Sequence, residues 1–248
     1  MSGHDPAALP QRDVVFFDLD DTLYDQAAPF GYAVRKILGP IPGVTATDLF
    51  ETSRRYSQEI FAAFRRDEHP TDAMYIRRMQ LTLGHYGVKI DPDTALALQH
   101  AYGAESKDAM KLAPEIVETL DWCSSHTRLG CGIITNGKEP PQRSKMKILG
   151  LDRWIAPDEI FISDALGYAK PQPELFQIAC DHFKAKPSDC LYIGDAFAID
   201  VLGAHSVHMP VIWFNHRLRP APPHQFPADQ DVHTASELRD LVKAIVQR

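Results

Sequence analysis

The chain has 248 residues, 44% of them hydrophobic and 24% charged, with a formal net charge of −7. That length holds one large domain, or a domain with a smaller one inserted. The acidic balance supplies no broad basic face, which excludes a nucleic-acid polymer as main partner, and no apolar run approaches the ~20 residues of a membrane-spanning helix. Met1 to Pro10 has neither a basic leader nor an apolar core and reads as a loose tail, not a signal peptide. Cys123, Cys131, Cys180 and Cys190 show no CxxC spacing, so buried, reduced thiols in a cytoplasmic protein are expected.

In chain order, Val14-Val15-Phe16-Phe17 reads as a buried strand of a parallel sheet. Asp18-Leu19-Asp20-Asp21-Thr22-Leu23 follows it directly. From about Asp25 to Ala109 no strand is convincing, and four helices are expected. The first covers Ala27 to Leu38 and ends at Gly39-Pro40. The second runs from Thr47, as N-cap, to about Arg66. The third begins near Thr71 and stops near Gly84 to Gly87, and the fourth follows Asp91-Pro92. Arg54-Arg55, Arg65-Arg66 and Arg77-Arg78 lie there beside Glu51, Glu59, Asp67 and Glu68, and are expected to form a solvated, ion-paired face.

From Pro114 strand and helix alternate. The expected strands are Leu129 to Ile134, Glu159 to Ile162, Leu191 to Ile193 and Val211 to Phe214. Helices are expected at Pro114 to about Ser125, after Gly137 (carrying Lys145 and Lys147), from Pro173 through Phe183, and from Ile199 to His205. Arg219 to Pro227 reads as a stiff proline-rich connector, and Glu237 to Val246 as a closing amphipathic helix. His205 and His208 are expected to be solvent-exposed histidines without a nearby carboxylate. Such alternation builds a parallel sheet covered by helices on both faces, an α/β fold. The expected division is a core of residues 1–24 and 110–248, interrupted by an all-helical insert at 25–109.

Polar residues gather at the carboxyl ends of the expected strands, where open α/β sheets bind ligands. Asp18 follows the first strand, Thr135-Asn136 the second and Asp195 the fourth, while Lys170-Pro171 lies after the third. Two carboxylates buried at a strand end need a compensating cation. In an extended segment Asp18 and Asp20 point the same way and converge. Metal-assisted phosphoryl transfer uses such a set. Magnesium suits Asp18, Asp195, a main-chain carbonyl near Asp20 and a phosphate oxygen. Asp18 would attack phosphorus, and Asp20 would protonate the leaving oxygen and later deprotonate water. Lys170, the Thr135 hydroxyl and N–H groups around Asn136 would hold the phosphate oxygens.

DLDDT at 18–22, TN at 135–136, KP at 170–171 and GDAFAID at 194–200 resemble the four ordered motifs of the haloacid dehalogenase superfamily, and the helical insert is similar to that of its C1-capped phosphatases. The resemblance implies a Rossmann-like three-layer core, a helical cap that closes over substrate, and magnesium as cofactor. It makes Asp18 the nucleophile, Asp20 the acid/base and Asp195 a direct metal ligand. Asp200 would act through a metal-bound water or by orienting Lys170. Ala196 stands where many relatives carry a hydroxyl residue.

Asp20 and Asp195 favour a phosphate monoester over a 2-haloacid, since a departing halide needs no proton. A phosphomutase, and an idle scaffold that binds a protein partner, share these motifs. Ile133-Ile134-Thr135-Asn136-Gly137 and Trp213-Phe214-Asn215 further resemble bacterial nucleotidases acting on pyrimidine monophosphates. The expected substrate is a small phosphorylated metabolite.

Overall fold

The computed structural model describes residues 12–61, 71–104, 106–222 and 228–247. The expected N-terminal tail, Arg65-Arg66, Asp67, Glu68 and most of the proline-rich connector lie outside them. The chain divides into two compact units, Met1–Tyr24 with Leu112–Arg248, and Asp25–Lys111.

The first unit is built on a six-stranded, wholly parallel sheet. Its strands are β1 (Val14–Phe17), β2 (Gly130–Thr135), β3 (Ile160–Ile162), β4 (Cys190–Gly194), β5 (Val211–Phe214) and β6 (Gln230–Val232), in the order β3-β2-β1-β4-β5-β6. β1 is buried along its whole length because strands pair on both sides of it and both faces are covered. Alternate residues serve different faces: Val14 and Phe16 pack in one cluster with Ile134, Leu175, Phe176, Tyr192 and Trp213. The rings of Phe161 and Phe183 meet Phe16 edge-on, with centroids at 6.2 and 5.4 Å.

The α/β alternation is borne out, with three differences. β6 was not expected, because in Gln-Asp-Val only Val232 is buried and no apolar run marks an edge strand of this kind. The expected helix at 199–205 is a wide turn over Phe197–Val201 followed by a short helix, Leu202–Ser206. His208 lies beyond that helix at φ 59°, so it shares no helical face with His205. The latter is half-buried, 3.5 Å from Asp229, a carboxylate that sequence spacing did not reveal.

In the second unit, α1 (Ala27–Leu38), α2 (Ala46–Phe61), α3 (Asp72–Gly84) and α4 (Pro92–Ala104) pack around Phe30, Phe50, Met79, Leu83 and Leu98. Helix α2 starts earlier than expected. Thr45, not Thr47, caps it: the Asp48 N–H donates to Thr45 Oγ1 at 3.1 Å, and the Thr45 N–H donates to Asp48 Oδ2 at 2.9 Å. Four residues of the expected ion-paired face, Arg65, Arg66, Asp67 and Glu68, lie outside the described residues. Arg54 stacks near the Phe50 ring, and Arg55 near Tyr56 and His85.

Candidate active site

Every residue of the site belongs to the first unit. The chain leaves β1 into a turn in which Asp21 adopts φ 67°, a conformation Asp tolerates better than most residues. Lys170, in the loop after β3, enters from the side and is almost wholly buried. Its Nζ donates to Asp18 Oδ1 at 2.6 Å, to Asp200 Oδ1 at 2.7 Å and to Tyr192 Oη at 2.9 Å. Asp200 comes close because Gly194 ends β4: a Cβ there would stand 2.5 Å from the Asp200 carboxyl carbon. The wide turn at 197–201 also aims Asp200 Oδ2 at the Ala196 N–H, 2.9 Å away.

Asp18, Asp195 and Asp200 are buried together, each offering an oxygen within 4.8 Å of the others. Burial, with the negative charge of Asp200 and Asp195, pushes the Asp18 carboxyl up to about 8 despite Lys170. Burial, Asp200 and Asp21 likewise push Asp195 up to about 7 against the pull of Arg219. Burial alone would lower Lys170, but Asp18 and Asp200 outweigh it and hold the ammonium above its ordinary value. Asp18 and Asp200 share one lysine, and Asp195, whose partner is Arg219, lies against both. Hard oxygen donors in that state fit a magnesium ion.

Asp20 stands apart. Tyr24 Oη donates to its Oδ1 at 2.5 Å, Gln142 Nε2 to its Oδ2 at 2.9 Å, and Lys145 Nζ to both oxygens at 2.6 and 2.7 Å. None of these groups touches Asp18, whose partners are Lys170 and the Thr22 hydroxyl. The Asp20 carboxylate is not in the buried acidic trio. Burial would raise Asp20; Lys145, Tyr24 and Gln142 together pull it below the usual carboxylate range.

Thr135 ends β2 with its hydroxyl accepting from Gln142 Nε2 at 2.7 Å. The Asn136 side chain is committed to the lysine loop. It donates to the Lys170 carbonyl at 3.0 Å and accepts from the Lys170 N–H at 2.8 Å. Sequence reasoning expected Tyr24 to serve as a packing residue, not as a partner of Asp20, and assigned no role to Gln142, Lys145, Arg217 or Arg219. Lys145 and Gln142 sit on a helix, Glu139–Leu149, whose polar composition reads as a solvent face. Arg219 is not merely connector: its Nη1 donates to Asp195 Oδ2 at 2.7 Å and its Nη2 to Asp21 Oδ2 at 3.3 Å. Arg217 grips Asp21 with two bonds of 2.6 Å, and burial notwithstanding, that grip depresses the Asp21 carboxyl strongly.

A parallel sheet with acids and a lysine gathered at its strand ends is the core of an α/β enzyme that binds its ligand at that edge. The family model of the haloacid dehalogenase-like hydrolases matches residues 12–208, and the chain belongs to that family. Among its relatives is the glyceraldehyde 3-phosphate phosphatase of Methanopyrus kandleri, 29% identical over 202 residues, 80% of this chain and 82% of that one. The ribulose-1,5-bisphosphate 5-phosphatase of Halopiger xanaduensis is 27% identical over 248 residues, 92% of this chain and 98% of its own. The fold also matches the magnesium-bound structure of the putative HAD-hydrolase YfnB from Bacillus subtilis. That match has a TM-score of 0.71 at 22% identity, covering 94% of this chain and 99% of the other. The chain is a phosphoric monoester hydrolase of this family. Among the described residues no helix is long and apolar enough to cross a membrane.

Proposed function

We propose that the protein is a magnesium-dependent phosphatase of a small phosphorylated metabolite, acting through an aspartyl phosphate on Asp18. The observation that carries this reading is the buried trio Asp18, Asp195 and Asp200, with Lys170 bonded to Asp18 and Asp200. Magnesium, held by Asp18, Asp195 and a carbonyl near Asp20, would neutralise charge where a carboxylate must approach a phosphate dianion. Asp18 forms the new O–P bond as the ester P–O bond breaks. Asp20 gives a proton to the departing oxygen, then takes one from the water that cleaves the acyl phosphate. Its depressed state beside Lys145 suits the second role; the first needs that contact to loosen when substrate arrives. Lys170, the Thr135 hydroxyl and main-chain N–H groups around Asn136 hold the phosphate oxygens, and Asp200 keeps Lys170 in place.

The helical unit takes the capping role that the family resemblance implies. Two relatives named for short sugar phosphates make that substrate class the first choice. A nucleoside monophosphate ranks behind it. Trp213 and Phe214, which suggested it, are buried in β5, and Trp213 Nε1 donates to the Asp195 carbonyl at 2.8 Å. Four buried cysteines without disulfides suit a reducing, cytoplasmic setting.

The test is phosphate release from sugar phosphates, nucleoside monophosphates and p-nitrophenyl phosphate, each with magnesium and with EDTA. Magnesium-dependent release, fastest on a sugar phosphate, is expected. Halide release from a 2-haloacid in EDTA, with no phosphate release, would overturn the reading, and so would complete inactivity. A second variant separates the two aspartates. Asp20→Asn is expected to slow alkyl phosphates by about 10²-fold or more, the scale of general-acid catalysis, and p-nitrophenyl phosphate far less. Equal losses on both substrates would remove Asp20 from the acid role.

A further inference from the structure

Arg219 lies beyond residues 12–208, which the family model matches, yet the loop after β5 is built around it. Buried Asn215 closes that loop. Its Nδ2 donates to the Arg219 carbonyl at 2.9 Å, and its Oδ1 accepts from the Arg219 N–H at 2.8 Å. Leu218, just before, stands at φ 54° and is 70% exposed. A left-handed backbone is costly for leucine, and an exposed side chain returns little of that cost. What the turn delivers is the Arg219 guanidinium, set between Asp195 Oδ2 at 2.7 Å and Asp21 Oδ2 at 3.3 Å. Tying the loop to the first turn does not require it. Arg217 already binds both Asp21 oxygens, and His216 Nε2 lies 2.9 Å from the Asp21 carbonyl. The shorter Arg219 bond goes to Asp195.

The buried trio leaves a cation little room to take any carboxylate by both oxygens. Asp18 Oδ1 accepts from Lys170, and its Oδ2 accepts from the Thr22 hydroxyl at 3.1 Å. Asp200 Oδ1 accepts from Lys170 and Tyr192, and its Oδ2 from the Ala196 N–H. Asp195 differs. Among the described residues its side chain has one hydrogen bond, from Arg219 to Oδ2. Arg219 is therefore all that keeps Asp195 from offering both oxygens at once. A guanidinium so close repels a metal ion from Oδ2 by its charge and leaves Oδ1 to it. Such an arrangement discriminates between ions. Calcium fills roughly six to eight positions and often takes both oxygens of one carboxylate, whereas magnesium needs about six, close and octahedral, and keeps several waters.

We propose that Arg219 sets the ion preference of the site, holding Asp195 to a single metal-facing oxygen and so favouring magnesium over calcium. It is a positioning residue, acting through Asp195 as an outer partner that orients a ligand. The inference rests on the magnesium reading of this site. Asp21, Asp195, Asn215, Arg217 and Arg219 all belong to the first unit.

The test is calorimetric titration of the metal-stripped full chain with magnesium chloride and, separately, with calcium chloride. Wild type is compared with Arg219→Met. Removing a positive charge strengthens the binding of both ions, so the ratio of calcium to magnesium affinity carries the argument. That ratio is expected to rise about tenfold in the variant, the scale of one charge-assisted contact. An unchanged or lower ratio, even with both affinities raised, makes Arg219 a charge only and overturns the inference.

Asn215→Ala frees the Arg219 backbone and leaves every carboxylate in place. It is expected to shift the ratio in the same direction by a smaller factor, and it decides the matter if Arg219→Met does not fold. Wild type that binds no magnesium overturns the magnesium reading and this inference with it. Magnesium binding with an unaltered ratio in the variants overturns this inference alone.

Discussion

Asp18→Asn is expected to lower phosphatase turnover by about 10⁴-fold or more, the scale seen when a covalent nucleophile is removed, and to leave no phosphorylated protein after acid quench. The same variant is expected to fold, and in EDTA at pH 8 to be more stable than wild type. The sign follows from the raised carboxyl. An unfolded Asp ionises near its ordinary value, whereas folded Asp18 holds its proton up to about 8. Between those limits the folded state binds more protons, so its contribution is full at low pH and is lost as pH rises through about 8. The substituted amide carries no charge to bury and removes that slope. Thermal melts in EDTA from pH 5 to pH 9 check it. A parallel fall in wild type and variant would mean that Asp18 is not the strained carboxylate.

Lys170→Met is expected to cost the metal-free protein about 3–5 kcal/mol, the range for stripping one partner from a buried ion pair. Lys170 is the shared partner of Asp18, Asp200 and the Tyr192 hydroxyl, and its side chain is 2% exposed. Turnover is expected to vanish as well, since the cation facing the transferred phosphate is gone. The double variant Asp18→Asn with Lys170→Met should recover part of the lost stability, because one uncompensated charge leaves with the lysine. Urea titrations of the four proteins close the cycle. If Lys170→Met unfolds at the wild-type midpoint, the lysine is not the cation that balances Asp18 and Asp200.

Five of the six strands were legible because short apolar runs ended at turn residues, which is how buried parallel strands announce themselves. β6 lacks that signal, since two of its three residues are polar. Strand ends carrying Asp18, Thr135 and Asp195 were equally legible, and Lys170 joins them through contacts 152 residues apart. What the sequence hid was the grip on Asp20 and Asp21. A lysine at position 145 on a polar helix looks like a solvated residue, and only its long reach across to Asp20 gives it work. Arg217 and Arg219 were masked in the same way by the prolines that follow them. Asp20, two residues on from Asp18, has partners of its own in Tyr24, Gln142 and Lys145, which no spacing along the chain announces.

The central position of β1 has a consequence for synthesis. Val14–Phe17 finds its first neighbours at Gly130–Ile133 and Cys190–Ile193. At ribosomal speeds of about 5–20 residues per second, that strand emerges roughly ten seconds ahead of either neighbour. The helices of Asp25–Lys111, a compact unit by themselves, are complete well before then. A sticky apolar ribbon therefore waits beside a finished helical bundle, and nascent chains halted between residues 111 and 130 should be the ones that chaperones hold most tightly.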